Sequence, residues 1–296
     1  MGHPIAELLV DARARLGECV LWCDRLRALY WTDIEGATLS RWNADAGRTR
    51  IWILPERLGS FALCGEPGQL LLGLASGIAL FDLEREAMTP IIPVEPKLPN
   101  TRINDGRCDA QGRFVFGMFN PAAAPIGLFY RVRADLSIEA LPLPAVGVAN
   151  SIAFSPDGTR MYFADSPTRI IQCVDYGAGG SLGAPRTFVR LGAHEGFPDG
   201  SAVDAEGGLW NAQWDGGCVV RYGADGIPTD RIALPARRPT CPAFGGAGLD
   251  RLFVSSARIG LDEAALLAQP GSGGVFALSP GRRGLAEHRF ITPLRA

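Results

Sequence analysis

The chain is punctuated by short apolar runs at residues 29–33, 70–74, 114–117, 161–165, 209–212 and 252–255. Second runs follow at 37–42, 77–81, 127–131, 170–174, 217–221 and 274–278. Turn residues separate them, among them Asp45-Ala46-Gly47, Asp157-Gly158 and Ala224-Asp225-Gly226, the short-loop chemistry that joins antiparallel strands. The copies, marked by Leu29, Leu71, Phe114, Met161, Leu209 and Leu252, recur roughly every 42–48 residues, a period that indicates propeller blades of about four strands. Six copies use up the chain. The predicted fold class is therefore all-β, a six-bladed β-propeller forming a single domain over 1–296.

A polar residue stands eight positions ahead of the residue opening each first run: Glu18 before Leu26, Ser60 before Gly68, Asn104 before Gly112, Asn150 before Gly158, Asp199 before Gly207 and Thr240 before Gly248. Circular symmetry gathers six equivalent side chains at one point. Four of them, Glu18, Asn104, Asn150 and Asp199, make an oxygen-rich set suited to a hard divalent cation, which predicts a central metal site. Ser60 and Thr240 are expected only to line the channel.

Closure of the ring is expected from pairing of residues 5–10 with 288–291 in one blade, which leaves no strand edge exposed. The Pro-rich stretch 90–99 reads as a connection between blades. One helix is expected over 262–269, capped by Asp262 and stopped by Pro270-Gly271.

Composition excludes several partners. The 296 residues carry a formal net charge of −2, which gives no pull towards nucleic acid or an anionic membrane, and no obligate protein partner is implied. A hydrophobic content of 47% supports a large core between blades. Seven cysteines, an odd number without a Cys-x-x-Cys pair, read as small buried hydrophobes in a reducing compartment. The first ten residues show no signal-peptide pattern, the opening Met-Gly lacks the Ser or Thr that myristoylation needs at Ala6, and no stretch is long enough to cross a bilayer. A cytoplasmic location is expected.

Nucleophilic hydrolase motifs are poorly supported. Gly179-Gly180-Ser181-Leu182-Gly183 fits Gly-x-Ser-x-Gly but lacks the strand-to-helix elbow, and only His3, His194 and His288 could serve a serine or cysteine nucleophile as base. The absence of His and Cys from the four oxygen residues argues against a thiolate zinc site. One divalent cation is expected: calcium, magnesium, manganese or iron(II) fit the set, and zinc stays compatible. Such a ring leaves coordination positions for water or a substrate carbonyl, and Asp199 is placed to take a proton from the attacking water.

Leu16-Gly17-Glu18, Arg102-Ile103-Asn104-Asp105-Gly106, Asn150-Ser151-Ile152-Ala153-Phe154-Ser155-Pro156-Asp157-Gly158 and Pro198-Asp199-Gly200 resemble the signature segments of the regucalcin/gluconolactonase family of metal-dependent sugar lactonases. The likeness adds Leu29-Tyr30-Trp31, Phe244-Gly245-Gly246 and Ser256-Ala257-Arg258, and runs over nearly the whole chain. It implies hydrolysis of an aldonolactone, a pentonolactone or gluconolactone, in sugar catabolism after a dehydrogenase. It further implies Glu18, Asn150 and Asp199 as metal ligands and Asp199 as acid/base. Arg102 and Asn104 become substrate contacts, with Asn104 an alternative ligand.

Two departures stand out. Where several relatives carry Gly-Thr-Met and then a substrate-contacting Glu, this chain has Gly117-Met118-Phe119-Asn120-Pro121-Ala122, leaving Asn120 as the expected substitute contact. Glu18-Cys19-Val20 replaces Glu-Gly-Pro but keeps the acid.

Blander roles compete for other residues. Arg102 could instead be a surface ion-pair partner of Asp105 or Asp109, and Asp33, Asp165 and Asp204 are expected to hold backbone between blades. His194 reads as a solvated loop residue. The tryptophans read as core, with Trp22 and Trp214 the two suited to a pocket wall. Two other functions fit the same fold: a non-catalytic calcium-binding or interaction propeller, and a lactonase or esterase for more apolar esters.

Overall fold

A computed structural model describes residues 5–98 and 100–292. Its strands form six four-stranded antiparallel sheets. Consecutive segments build the first five, beginning with Gly17–Cys23, Ala28–Asp33, Thr38–Asn43 and Arg48–Ile53. The innermost strands are Gly17–Cys23, Leu58–Leu63, Arg102–Cys108, Ala149–Phe154, Phe197–Val203 and Pro239–Gly245. Each lies against the inner strand of the next blade, and the sixth lies against the first. The chain is a six-bladed β-propeller.

Burial explains the strand patterns. Leu70 to Leu74 are buried without alternation because both faces of a blade are covered by its neighbours, whereas the outer strand Arg48–Ile53 buries only Trp52. The apolar core accordingly divides into six clusters, one per blade interface. Leu39 and Tyr30 of blade one meet Phe61 and Leu72 of blade two, and Trp22 and Trp31 meet Phe253 and Val275 where blade six closes on blade one.

Closure differs from expectation in one of its two strands. Glu7–Val10 does form the outer strand of blade six, with Glu7 opposite Ala277 and Leu8 opposite Phe276. Residues 288–291 do not pair with it. They cross the far side of the ring, where Phe290 bridges Cys64 and sinks completely among Cys108, Phe114 and Phe116. Burying that ring gains about 1.5–3 kcal/mol, which a place on the outer edge of blade six would forgo.

The Pro-rich stretch is a second correction. Ala87–Pro93 is the outer strand of blade two rather than a connection, and Pro90 is tolerated there because an edge strand has amide groups with no ladder partner. Pro99 lies outside the described residues, as do His3 and the opening Met-Gly. The helix spans Glu263–Ala268, and Asp262 caps it by accepting from the Ala265 amide at 2.8 Å. Among the described residues no helix is long and apolar enough to cross a membrane.

All six inner strands break register where the polar residue stands: after Glu18, Leu58, Ile103, Asn150, Pro198 and Pro239. A bulge adds an unpaired residue and re-aims the side chains beside it. Cys19 and Ser151, directly after Glu18 and Asn150, carry the cost in left-handed backbone, at φ 48° and 59°.

Candidate active site

Glu18, Arg102, Asn104, Asn150 and Asp199 line one cavity of about 280 Å³ at the mouth of the central channel. Four of the six repeat positions therefore converge there. The other two do not. Thr240 is fully buried, and its hydroxyl joins the Gly17 carbonyl to Ser255 Oγ between blades six and one. Ser60 is equally buried, with an unpartnered Oγ beside Gly106. Against the expectation that they line the channel, neither borders the cavity, and both are fully buried. Short hydroxyl side chains end within the blade interface before they reach the axis.

Asn120 is also placed elsewhere. Its Nδ2 donates to the Ala124 carbonyl at 2.9 Å and its Oδ1 accepts from the Ala122 amide at 3.1 Å, so its side chain is spent on shaping its own loop. Phe119 takes the wall position instead. Trp214 lines the cavity as expected, whereas Trp22 stacks on Phe253 at 5.7 Å in the core. His194 is exposed. The Gly-x-Ser-x-Gly stretch is a turn, closed by a bond from the Gly177 amide to the Ser181 carbonyl.

A hydrogen-bonded relay fixes the amides. Arg102 Nη1 donates to Asn104 Oδ1 at 2.6 Å, and Asn104 Nδ2 donates to the Ala149 carbonyl at 2.8 Å and, more weakly, to Asn150 Oδ1 at 3.3 Å. Asn150 Nδ2 donates to Ser166 Oγ at 2.9 Å, and that hydroxyl donates to the Pro198 carbonyl at 2.7 Å. With its NH2 so engaged, Asn150 leaves its carbonyl oxygen on the channel side. Asn104, by contrast, has given its oxygen to Arg102.

Arg102 is 2% exposed and pairs with neither Asp105 nor Asp109, which excludes the surface ion pair. Asp109 bonds Arg113 and Tyr176. The Arg102 guanidinium lies 4.1 Å over the Phe119 ring, and its buried Nε has no partner. Burial, then the nearby Arg57, lowers its pKa to about 10, so it stays charged at neutral pH. Two more wall aromatics carry arginines: Arg169 at 3.9 Å over Phe197 and Arg238 at 4.9 Å over Trp214. The walls are apolar and rigid. The floor is polar.

The carboxylates carry an electrostatic load. Burial, and next the Asp105 charge, pushes Glu18 up to about 8, while burial followed by Glu18 and Asp105 holds Asp199 well above the usual carboxylate range. Asp105, raised by burial to about 6, was overlooked by sequence reasoning as a member of the site. It borders a small void with Glu18, Asn104 and Asn150, and it accepts from the Ile152 amide at 2.7 Å. Strand alternation puts a residue next to Asn104 on the opposite face, and only the bulge returns it to the axis.

The donor set suits a divalent cation. Neither Glu18 nor Asp199 receives a hydrogen bond from another side chain among the described residues; each is met by one backbone amide, of Cys19 and of Gly200. Two such carboxylates beside an oriented amide oxygen form a hard-oxygen cradle whose repulsion a cation would offset. Among the described residues no three His, Cys, Asp or Glu side chains are grouped as a metal set, so the amide oxygen of Asn150 is needed to complete one.

Comparison with known proteins shows the family. The model of the SMP-30/gluconolactonase/LRE-like region matches residues 16–258. The chain belongs to that family. L-arabinolactonase of Azospirillum brasilense is 54% identical over 293 residues, 97% of each chain. The 6-deoxy-6-sulfogluconolactonase of Pseudomonas putida is 37% identical, over 93% of this chain and 94% of its own. Among solved structures, a calcium-binding regucalcin from Agrobacterium tumefaciens superposes with a TM-score of 0.92 at 31% identity, covering 98% of this chain and 97% of its own. The SMP-30/gluconolactonase matches span almost the whole ring, so the inner-strand residues fall within the shared region.

Proposed function

We propose that this chain hydrolyses an aldonolactone to the aldonic acid, with a pentonolactone such as an arabinonolactone as its substrate and Glu18, Asn150 and Asp199 as ligands of one divalent cation. The observation that carries this reading is the convergence of those three oxygen donors, facing Arg102, on the floor of one cavity of about 280 Å³. That volume is at the small end of ligand pockets and suits a single sugar ring. The 54% identity to an L-arabinolactonase supports the five-carbon substrate. The single propeller is taken as the whole catalytic unit.

Bound between Glu18, Asn150 and Asp199, a divalent cation would supply Lewis acidity towards the lactone carbonyl. The chain does the rest. Arg102 donates to a sugar hydroxyl or the ring oxygen, and its charge favours the anionic transition state of acyl transfer. Asn104 holds Arg102 in place by accepting from Nη1. Asp199 takes the proton of the attacking water and returns it to the ring oxygen as the C–O bond breaks, so that one carboxylate serves as base and then acid. The walls formed by Phe119, Phe197 and Trp214 exclude water and present flat apolar surface to the C–H faces of the ring.

Those same walls favour a second reading, hydrolysis of a more apolar lactone or ester. The polar floor weighs against it, because an apolar substrate offers no acceptor to the buried charge of Arg102, whose Nε has no partner. An open cavity with its oxygen donors in place weighs against a non-catalytic scaffold. The test is hydrolysis by metal-stripped protein with single cations restored, across pentono-, hexono- and alkyl-substituted lactones. Preference for alkyl lactones would replace the sugar reading, and no turnover with any cation would leave the scaffold.

A further inference from the structure

The far end of the channel is closed by the C-terminal tail. Ala205 donates its amide to the Arg283 carbonyl at 2.8 Å, Gly284 donates to Leu249 at 2.7 Å, Phe290 donates to Leu63 at 2.8 Å, and Ile291 donates to Gly112 at 3.0 Å. The tail thus touches blades five, six, two and three in turn. Midway across it, Glu287 enters the channel and accepts from Arg107 Nη1 at 2.6 Å, with both side chains about nine-tenths buried.

Arg107 stands on the same inner strand as the site. Asp105 and Arg107 are two residues apart on Arg102–Cys108: the bulge turns Asp105 to the void it shares with Glu18, Asn104 and Asn150, and Arg107 lines a second pocket with Glu287 of the tail. Arg107 feels Glu287 most strongly among charges and Asp105 as well, and its Nε is buried without a partner. Along the channel the charges therefore alternate: the Glu18–Asp199 pair and Asp105, then Arg107, then Glu287. In a buried, water-poor column each charge acts on the next with little screening.

We propose that Glu287 and Arg107 are positioning residues that tune the hold on the cation from the opposite end of the ring. Glu287 neutralises Arg107 and so keeps its positive charge from opposing a cation held above Asp105. This rests on the cation reading of Glu18, Asn150 and Asp199. It makes predictions of opposite sign for the two partners.

The test is equilibrium dialysis of metal-stripped protein against calcium, magnesium, manganese and zinc separately, using whichever ion wild type binds most tightly. Glu287→Gln removes the neutralising charge but still accepts from Arg107, and affinity should fall about fivefold. Arg107→Gln removes the opposing charge while keeping a polar donor on the strand, and affinity should rise by about as much. Opposite shifts support the column. A role that merely holds the tail in place weakens binding in both variants, and that result, or unchanged affinity in both, overturns it. Should Glu287→Gln fail to fold, Arg107→Gln decides alone: a rise supports the proposal and no rise overturns it. Wild type binding none of the four ions would instead overturn the cation reading itself.

Discussion

Asn150 hands its side-chain NH2 to Ser166 Oγ at 2.9 Å, and this one bond decides which end of the amide faces the channel. Ser166 stands in the single turn Ser166–Thr168 and is held by the Pro198 carbonyl, one residue before Asp199. Replacing Ser166 with alanine frees the amide to rotate. Groups that orient metal ligands typically contribute about 10–100-fold, so Ser166→Ala should lower kcat/KM about tenfold with a matching loss of cation affinity. Initial rates across a cation titration check this. Unchanged cation affinity would remove Asn150 from the ligand set.

Burial, and after it the Glu18 charge, makes an ionised Asp199 costly in the metal-free protein. Asp199→Asn should therefore raise the Tm of stripped protein while lowering turnover about a thousandfold. It should also abolish the Tm increase that a saturating cation gives wild type through selective binding to the folded state. Differential scanning calorimetry with and without cation measures both. A lower Tm in the stripped variant would contradict that cost.

Asp204 carries structural rather than catalytic load. It is fully buried and accepts from Arg221 Nε at 2.6 Å, Trp210 Nε1 at 2.9 Å and the Gly208 amide at 2.8 Å. Burial alone would raise its pKa, but these donors outweigh burial and hold it below the ordinary 3.8. Its contribution is thus complete above the unfolded value and fades as pH falls through the folded one. Asp204→Ala, which leaves buried Arg221 with only the more exposed Glu206 at 3.6 Å and the Thr229 hydroxyl, should cost about 3 kcal/mol. The variant should also lose less stability than wild type on acidification below about pH 4. Urea unfolding at pH 7 and pH 3 compares the two losses.

Asn120 organises its loop. Asn120→Ala should leave KM within about twofold and lower stability by about 1 kcal/mol for the bonds lost. Steady-state kinetics beside a thermal melt separate the outcomes, and a KM rise without a Tm change would restore a substrate role.

The propeller was legible because its cause is local. Each blade repeats one pattern of apolar runs and turn residues, and strands covered on both faces write that pattern into neighbouring residues such as Leu70 to Leu74. Register across the copies was legible for the same reason, which is why Glu18, Asn104, Asn150 and Asp199 could be expected around one axis before any coordinates. Asp33 and Asp165 do accept backbone amides, at Leu16 and Val148, but these lead into the inner strands of their own blades, so the bonds brace each blade internally instead of joining neighbours.

Other features depend on where distant segments meet. Nothing near Asn104 announces that a bulge turns Asp105 inward, nor does the spacing that Ser60 and Thr240 share with Glu18 reveal that their side chains stop short of the axis. Phe290 could be known as apolar, but its burial against Cys108 and Phe114 requires a hollow that exists only once blades two and three are side by side. Periodicity along the chain specifies the blades and the order of the channel-facing strands. The identity of the groups that touch within the channel is settled by bulge geometry, side-chain reach and the path of the tail, because those depend on contacts between residues far apart in the chain.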